Sequence, residues 1–307
     1  MPITSISYSR IIYLLLLGFL VTLMVAGCKN PQKSNSVVKI GFMNCNNEQE
    51  TLQRFKPITK YLSEKIGVEF VTVPVDTHEF EKRFKSGEFT ITHTNSLLYI
   101  ILKEHYKSNL IAAEKRGNFG SKTGGAIIAR KGKGINTLQD LKGKRFAFGP
   151  MFAPTGYLAE YDLLLKNNIN PEHDFFYTIP EGSFKHEKLV YGVLFGGYDA
   201  AAAPLLDLEV MTKEGKISAD DFVILAQTPI IPYCNFSADP KADPELVAKI
   251  RKALLELKPS DTVEINGERV QVLKSAWVDG YEELADKEYD PIRDMARRTN
   301  MPPYQKY

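Results

Sequence analysis

Two turns in the sequence place hydrogen-bond donors just ahead of a helix: Thr94-Asn95-Ser96, and Ala153-Pro154-Thr155-Gly156. A helix start leaves its first backbone N–H groups unpaired and carries the positive end of the helix dipole, which suits an anion. Side-chain donors on Thr94, Asn95, Ser96 and Thr155, with the main-chain amides of Thr155, Gly156 and Tyr157, could meet one oxyanion from two sides. Capping alone is the competing use of the same residues, with Pro154-Thr155 opening a helix and Thr155 as its N-cap. The five histidines and three cysteines show no HExxH or CxxC spacing, so no structural zinc and no cofactor is expected. No GxSxG, Walker loop or paired carboxylate stands out, and the chain reads as a binder rather than an enzyme. Cys45 and Cys234 could form a bridge, remain buried thiols, or serve a ligand or soft metal.

These turns need strands and helices to hold them. Val37 to Met43 reads as a buried strand, and Thr51 to Ile66 carries Leu52, Phe55, Ile58, Tyr61, Leu62 and Ile66 on a helical stripe that Gly67 ends. A strand from Val68 completes a β-α-β unit, which implies a parallel sheet. Strand and helix alternate again through His78–Leu102, and a second alternating set runs from Arg145 to Ala226. The charged, glycine-spaced break RKGKG after Arg130 is read as one crossing between lobes, and the extended stretch with Pro229 and Pro232 as the return. The expected organisation is a signal peptide over 1–27, a tether over 28–36, lobe 1 from 37–130 with 234–307, and lobe 2 from 131–233. Two doubly wound α/β sheets joined by two crossings leave a cleft, the favoured place for a small ligand.

The chain has 307 residues, 44% of them hydrophobic, and a formal charge of +2, which offers no strong basic excess for nucleic acid. Ile11 to Ala26 is an uncharged run of sixteen residues behind Arg10. That is short of the ~20 a spanning helix needs and reads as an export signal. Val25-Ala26-Gly27-Cys28 resembles the lipobox of bacterial lipoproteins, which implies lipid on Cys28 and a membrane-anchored, extracytoplasmic body.

Several segments together resemble the phosphate, phosphite and phosphonate-binding family of ABC-transporter solute receptors. They are Arg54-Phe55-Lys56-Pro57-Ile58 with Tyr61-Leu62, LQDLKGKRFAFG over 138–149, and Glu288-Tyr289-Asp290-Pro291-Ile292-Arg293. The resemblance implies a two-lobed, type II periplasmic-binding-protein fold and an oxyanion held between the lobes. It places Tyr99 where the family has a ligand-contacting tyrosine, His186 on the histidine of its GSH[DE] segment, and Thr155 in its anion turn, where Ala153 and Pro154 replace two hydroxyls. On the return crossing the family's acidic residue is replaced within Ile231-Pro232-Tyr233-Cys234, so a ligand ammonium group would lose its partner. Tyr233 is expected beside the ligand, together with Met151, Phe152 and Tyr157.

The resulting expectation is a monomeric lipoprotein that captures a phosphonate- or phosphate-like oxyanion for an ABC permease and its ATPase. The ligand residues expected are Thr94, Asn95, Ser96, Tyr99, Thr155, Gly156, Tyr157, His186 and Tyr233. Two alternatives remain at this level: a sensory module using the same cleft, and a metal or cofactor site built from Cys45, Cys234, His93 and Tyr99.

Overall fold

Apolar, β-branched runs alternate with amphipathic stretches that carry their own caps, and the elements follow. In the helix Glu48–Ile66 the Asn47 side chain accepts the Glu50 N–H at 2.8 Å, Glu48 and Glu50 face the positive end, and Lys65 lies at the last turn. The chain leaves through Gly67 at φ 75°, where the left-handed conformation favours glycine. The computed structural model describes residues 37–181 and 185–306. The expected signal peptide, tether and lipid site at Cys28 lie outside the described residues, within which no helix is long and apolar enough to cross a membrane.

The chain lays down β1 (Val38–Met43), β2 (Phe70–Val75), β3 (Ile91–Thr94) and β4 (Asn109–Lys115), then leaves through the short β5 (Lys122–Thr123). It builds β6 (Gly125–Arg130), β7 (Arg145–Ala147), β8 (Phe176–Thr178), β9 (Ala200–Pro204) and β10 (Phe222–Gln227), and returns through β11 (Ile231–Pro232). It finishes with β12 (Asn235–Ala238), the hairpin β13 (Thr262–Ile265) and β14 (Glu268–Gln271), and β15 (Gly280–Glu282). The first sheet has the order β15-β4-β12-β3-β1-β2 and the second β10-β6-β9-β7-β8. Within them β1 runs parallel to β2 and β3, and β7 parallel to β8 and β9; β12 and β6 run antiparallel to their neighbours.

One boundary is corrected. β6 lies between β10 and β9, so Gly125–Arg130 belongs to the second sheet, and the outgoing crossing is β5, ahead of the expected change at Arg130. Its partner is β11, so the two crossings lie side by side as a small antiparallel pair. The RKGKG run is an exposed turn inside the second lobe. Charge and glycine mark a turn equally well wherever it falls, which is why composition placed the crossing one strand late.

Between the lobes runs the helix Ser96–Tyr106, buried from Ser96 through Leu102 and apolar on nearly every side. It shares one core with residues of both lobes, including Phe146, Phe148 and Tyr289. The final helix, Asp290–Arg298, also spans the contact: Arg298 pairs with Asp162 at 2.6 Å.

Candidate functional site

Two adjoining cavities lie between the lobes. The smaller, about 100 Å³, is lined by Asn95 and Ser96 from one lobe and Thr155 and His186 from the other. The larger, about 360 Å³, reaches Arg54, His93, Arg116 and Trp277. Met43, Cys45, His186, Tyr233 and Cys234 form walls of both.

Of the nine residues expected from the sequence, five meet here: Asn95, Ser96, Thr155, His186 and Tyr233. Asn95 has two duties. Its Oδ1 accepts the Leu98 N–H at 2.9 Å, capping Ser96–Tyr106, while Nδ2 donates to the Phe152 carbonyl at 2.8 Å across the cleft. Ser96 Oγ is buried and has no partner among the described residues, as befits a donor waiting for something in the cavity. His186 Nδ1 lies 2.9 Å from Asp207 Oδ2. With its proton given to Asp207, the ring presents Nε2, which accepts from a protonated oxyanion or donates once the imidazole is charged. That Nε2 is also unpartnered.

The other four are placed differently. Tyr99 is fully buried, donates its hydroxyl to Asp286 Oδ1 at 2.7 Å and packs against Tyr289 at 4.6 Å, so it is a core residue with a satisfied polar tip. Tyr157 packs among Phe148 and Tyr161. Thr94 is held in the sheet opposite Asn235 and lies outside both cavity walls. Gly156 does not offer its amide to the cleft: that N–H goes to both carboxyl oxygens of Glu160, at 2.9 and 2.8 Å. The expected helix start is altered as well. Thr155 is extended and Gly156 takes φ 89°, opening a wide turn over Pro154–Leu158, so the regular helix begins only at Ala159 and Thr155 is not its N-cap.

Sequence reasoning missed the floor of the larger cavity. Arg54, 7% exposed, has Nη2 on the Ala276 carbonyl at 3.1 Å and lies between the Phe55 ring at 4.7 Å and the Trp277 ring at 4.2 Å. Among the described residues it has no carboxylate within ion-pair distance, and its Nε is unpartnered. A signal was present, because Arg54 stands four residues before Ile58 and three after Thr51, a cation on the buried stripe of Glu48–Ile66. Arg116 gave none. It pairs with Glu114 at 2.9 Å, lies over the Tyr233 ring at 4.6 Å and also has a free Nε. Glu114 is fully buried and takes His93 Nε2 at 2.7 Å with its other oxygen. Burial alone would push this carboxyl up; Arg116 and His93 overcome it and hold it at about 2.

Cys45 and Cys234 are both free thiols facing both cavities. Burial pushes the thiol of each up, that of Cys234 well above its ordinary value, so neither is a ready nucleophile. The metal set considered from the sequence does not assemble, since His93 is committed to Glu114 and Tyr99 to Asp286. Among the described residues no three His, Cys, Asp or Glu side chains are grouped to hold a metal ion.

Residues 40–289 match the family model of the ABC-transporter phosphonate periplasmic substrate-binding protein. The chain belongs to that phosphonate-binding family. Solved structures agree on its type II two-lobed fold. PhnD1 from Prochlorococcus marinus, in complex with methylphosphonate, superposes with a TM-score of 0.70 at 20% identity, covering 87% of this chain and 99% of PhnD1. A binding protein component of an ABC phosphonate transporter from Pseudomonas aeruginosa gives 0.66 at 18%, covering 86% of each chain. Among curated proteins the tetrathionate sensor histidine kinase TtrS of Salmonella typhimurium is 28% identical over 230 residues, 70% of this chain. The matched part is 38% of the kinase's length. The family model describes periplasmic substrate-binding proteins of ABC transporters.

Proposed function

We propose that this protein is a lipid-anchored receptor, held to the membrane through Cys28, that closes on a phosphonate- or phosphate-like oxyanion and presents it to an ABC permease and its ATPase. The observation that carries the ligand class is the cavity floor: Arg54 and Arg116 both line it, Glu114 is paired with Arg116 and His93, and the Nε of each guanidinium is unpartnered among the described residues. An anion supplies the missing charge and acceptors together. Ser96 and Thr155 add hydroxyls from the two lobes. The absence of a family-type carboxylate at Cys234 argues for a ligand without an ammonium group.

Calorimetry with methylphosphonate, phosphate, phosphite and sulfate tests this reading. At least one should bind, and Arg116→Gln should weaken it by about tenfold or more, since a hydrogen bond to a charged group is worth about 1.5–3 kcal/mol. Indifference to all four would refute oxyanion capture. Anchoring is tested separately: Cys28→Ala should release the protein from membranes on fractionation.

A second reading, a sensing module, is favoured by the likeness to the tetrathionate sensor kinase. Deleting the chain should abolish uptake of the bound anion if it delivers cargo. Intact uptake with a lost transcriptional response to that anion would instead assign sensing.

A further inference from the structure

We propose that the indole of Trp277 is a stacking platform for the ligand, and that the oxyanion this cleft takes carries a flat aromatic substituent. This rests on the oxyanion-capture reading and names the substituent. Trp277 stands in a backbone conformation that disfavours it. It closes the helix Val272–Ala276 at φ 60° and ψ 39°, with its N–H turned back to the Leu273 and Lys274 carbonyls. Glycine or asparagine usually fills a left-handed cap of this kind, because a larger side chain crowds the backbone there. Of the five non-glycine residues at positive φ among the described residues, three are asparagine and one is lysine; Trp277 alone carries a bulky ring. It is also the chain's only tryptophan. Such an outlier on a cleft wall points to a function for its side chain.

Core packing does not supply that function, since Trp277 is 55% exposed. Among the described residues no other aromatic ring packs on the indole, and the one cation over it is the Arg54 guanidinium, 4.2 Å from the ring centroid. Arg54 is fixed from behind by the Phe55 face at 4.7 Å and the Ala276 carbonyl at 3.1 Å, and its charge acts on Cys45 and Glu114. The helix cap and this guanidinium therefore set the pose of the indole before any ligand arrives, which lowers the ordering cost of stacking on it.

Its position fits a ligand wall. Trp277 lines the larger cavity, about 360 Å³, and a neighbouring one of about 520 Å³, as do Arg116, Glu187 and Asp207. A second guanidinium at the larger cavity also lies on a ring, Arg116 over Tyr233 at 4.6 Å. The two arginines that would attract an oxyanion thus each stand against an aromatic face beside the same space. A ligand with charge at one end and a π face next to it matches this arrangement, because flat rings stack on indole and guanidinium planes alike. A methyl substituent would leave the indole in water.

The test is calorimetry with tryptophan fluorescence on the full chain in detergent. Its probes are phenylphosphonate and benzylphosphonate, with cyclohexylphosphonate as a saturated ring of like size and methylphosphonate and phosphate as small anions. The expected result is that at least one aromatic probe binds about fivefold or more tighter than both cyclohexyl- and methylphosphonate, and changes the emission of the lone tryptophan in step with binding. Trp277→Leu should weaken that aromatic probe at least about fivefold more than it weakens methylphosphonate, and Trp277→Phe should keep most of the preference. Trp277→Asn suits the left-handed backbone, so it should melt no lower than Trp277→Leu while losing the same preference. Equal affinity for phenyl and cyclohexyl probes, unchanged emission at saturation, or equal losses for aromatic and methyl probes in the variants overturns the proposal and leaves oxyanion capture intact. No binding by any probe, phosphate included, overturns capture itself.

Discussion

Two buried carboxylates show how neighbours decide the state of a residue. Glu114, paired with Arg116 and hydrogen-bonded to His93, stays ionised down to about 2. Glu160, fully buried in the second lobe, has the backbone N–H groups of Gly156 and of Glu160 itself and, among the described residues, no cation paired with it; burial outweighs those amides and pushes its carboxyl up to about 8. Gly125 makes room for it, since a Cβ there would come within 1.7 Å of Glu160 Oε1. The folded value lies above the ordinary 4.5, so this group's contribution to stability is complete below that pH and is lost as pH rises through about 8. Glu160→Gln should remove that fall: the melting temperature of the parent relative to the variant should drop between about pH 5 and pH 9. Parallel curves would show that Glu160 is ionised throughout. Glu160 also explains why the second-lobe turn offers Thr155's hydroxyl and not Gly156's amide, a fact invisible in a four-residue motif because the competitor comes from the next turn of chain.

At the scale of elements, the two turns ahead of helices have diverged. The first is an ordinary cap: Asn95 on Ser96–Tyr106, readable from sequence because Asn before an apolar run is a strong start signal. Its second bond to Phe152 was not readable, since it depends on the other lobe. Asn95→Ala should therefore cost about 1 kcal/mol in urea unfolding for the cap, with the urea slope unchanged, and should weaken anion binding beyond what the lost cap explains. The second turn is a wide loop set by Gly156, whose Cβ equivalent would lie 3.1 Å from His186 Nε2. A polar Pro-Thr-Gly start gives the same local signal for a capped helix and for this opened turn, and packing beneath His186 selects the latter. β4, β12 and β15 were likewise missed because Asn109–Lys115 and its neighbours alternate weakly and become strands through their pairing.

For the whole molecule, the lobes meet through contacts that no single element contains: Arg298 with Asp162, Asn118 with Glu209 at 2.6 Å, and Lys185 with Glu50 at 3.7 Å. The first is the most buried, with the Asp162 side chain 1% exposed and Lys166 also within 3.0 Å. Arg298→Ala should shift the ligand-free protein toward an open form. A larger radius of gyration by small-angle scattering and affinity weaker by up to about fivefold are expected, the reach of a pair worth roughly 1 kcal/mol. An unchanged radius would show that this pair does not hold the lobes together. Local pattern determined much of this protein: apolar periodicity set the alternation of strand and helix, a cap set the start of Ser96–Tyr106, and a few segments sufficed to point to the family. Tertiary structure alone decided which donors line the cleft, because Tyr99, Tyr157 and Gly156 are packed or bonded away from it while Arg54 and Arg116 line it, and a side chain's availability depends on neighbours that the chain brings from far away.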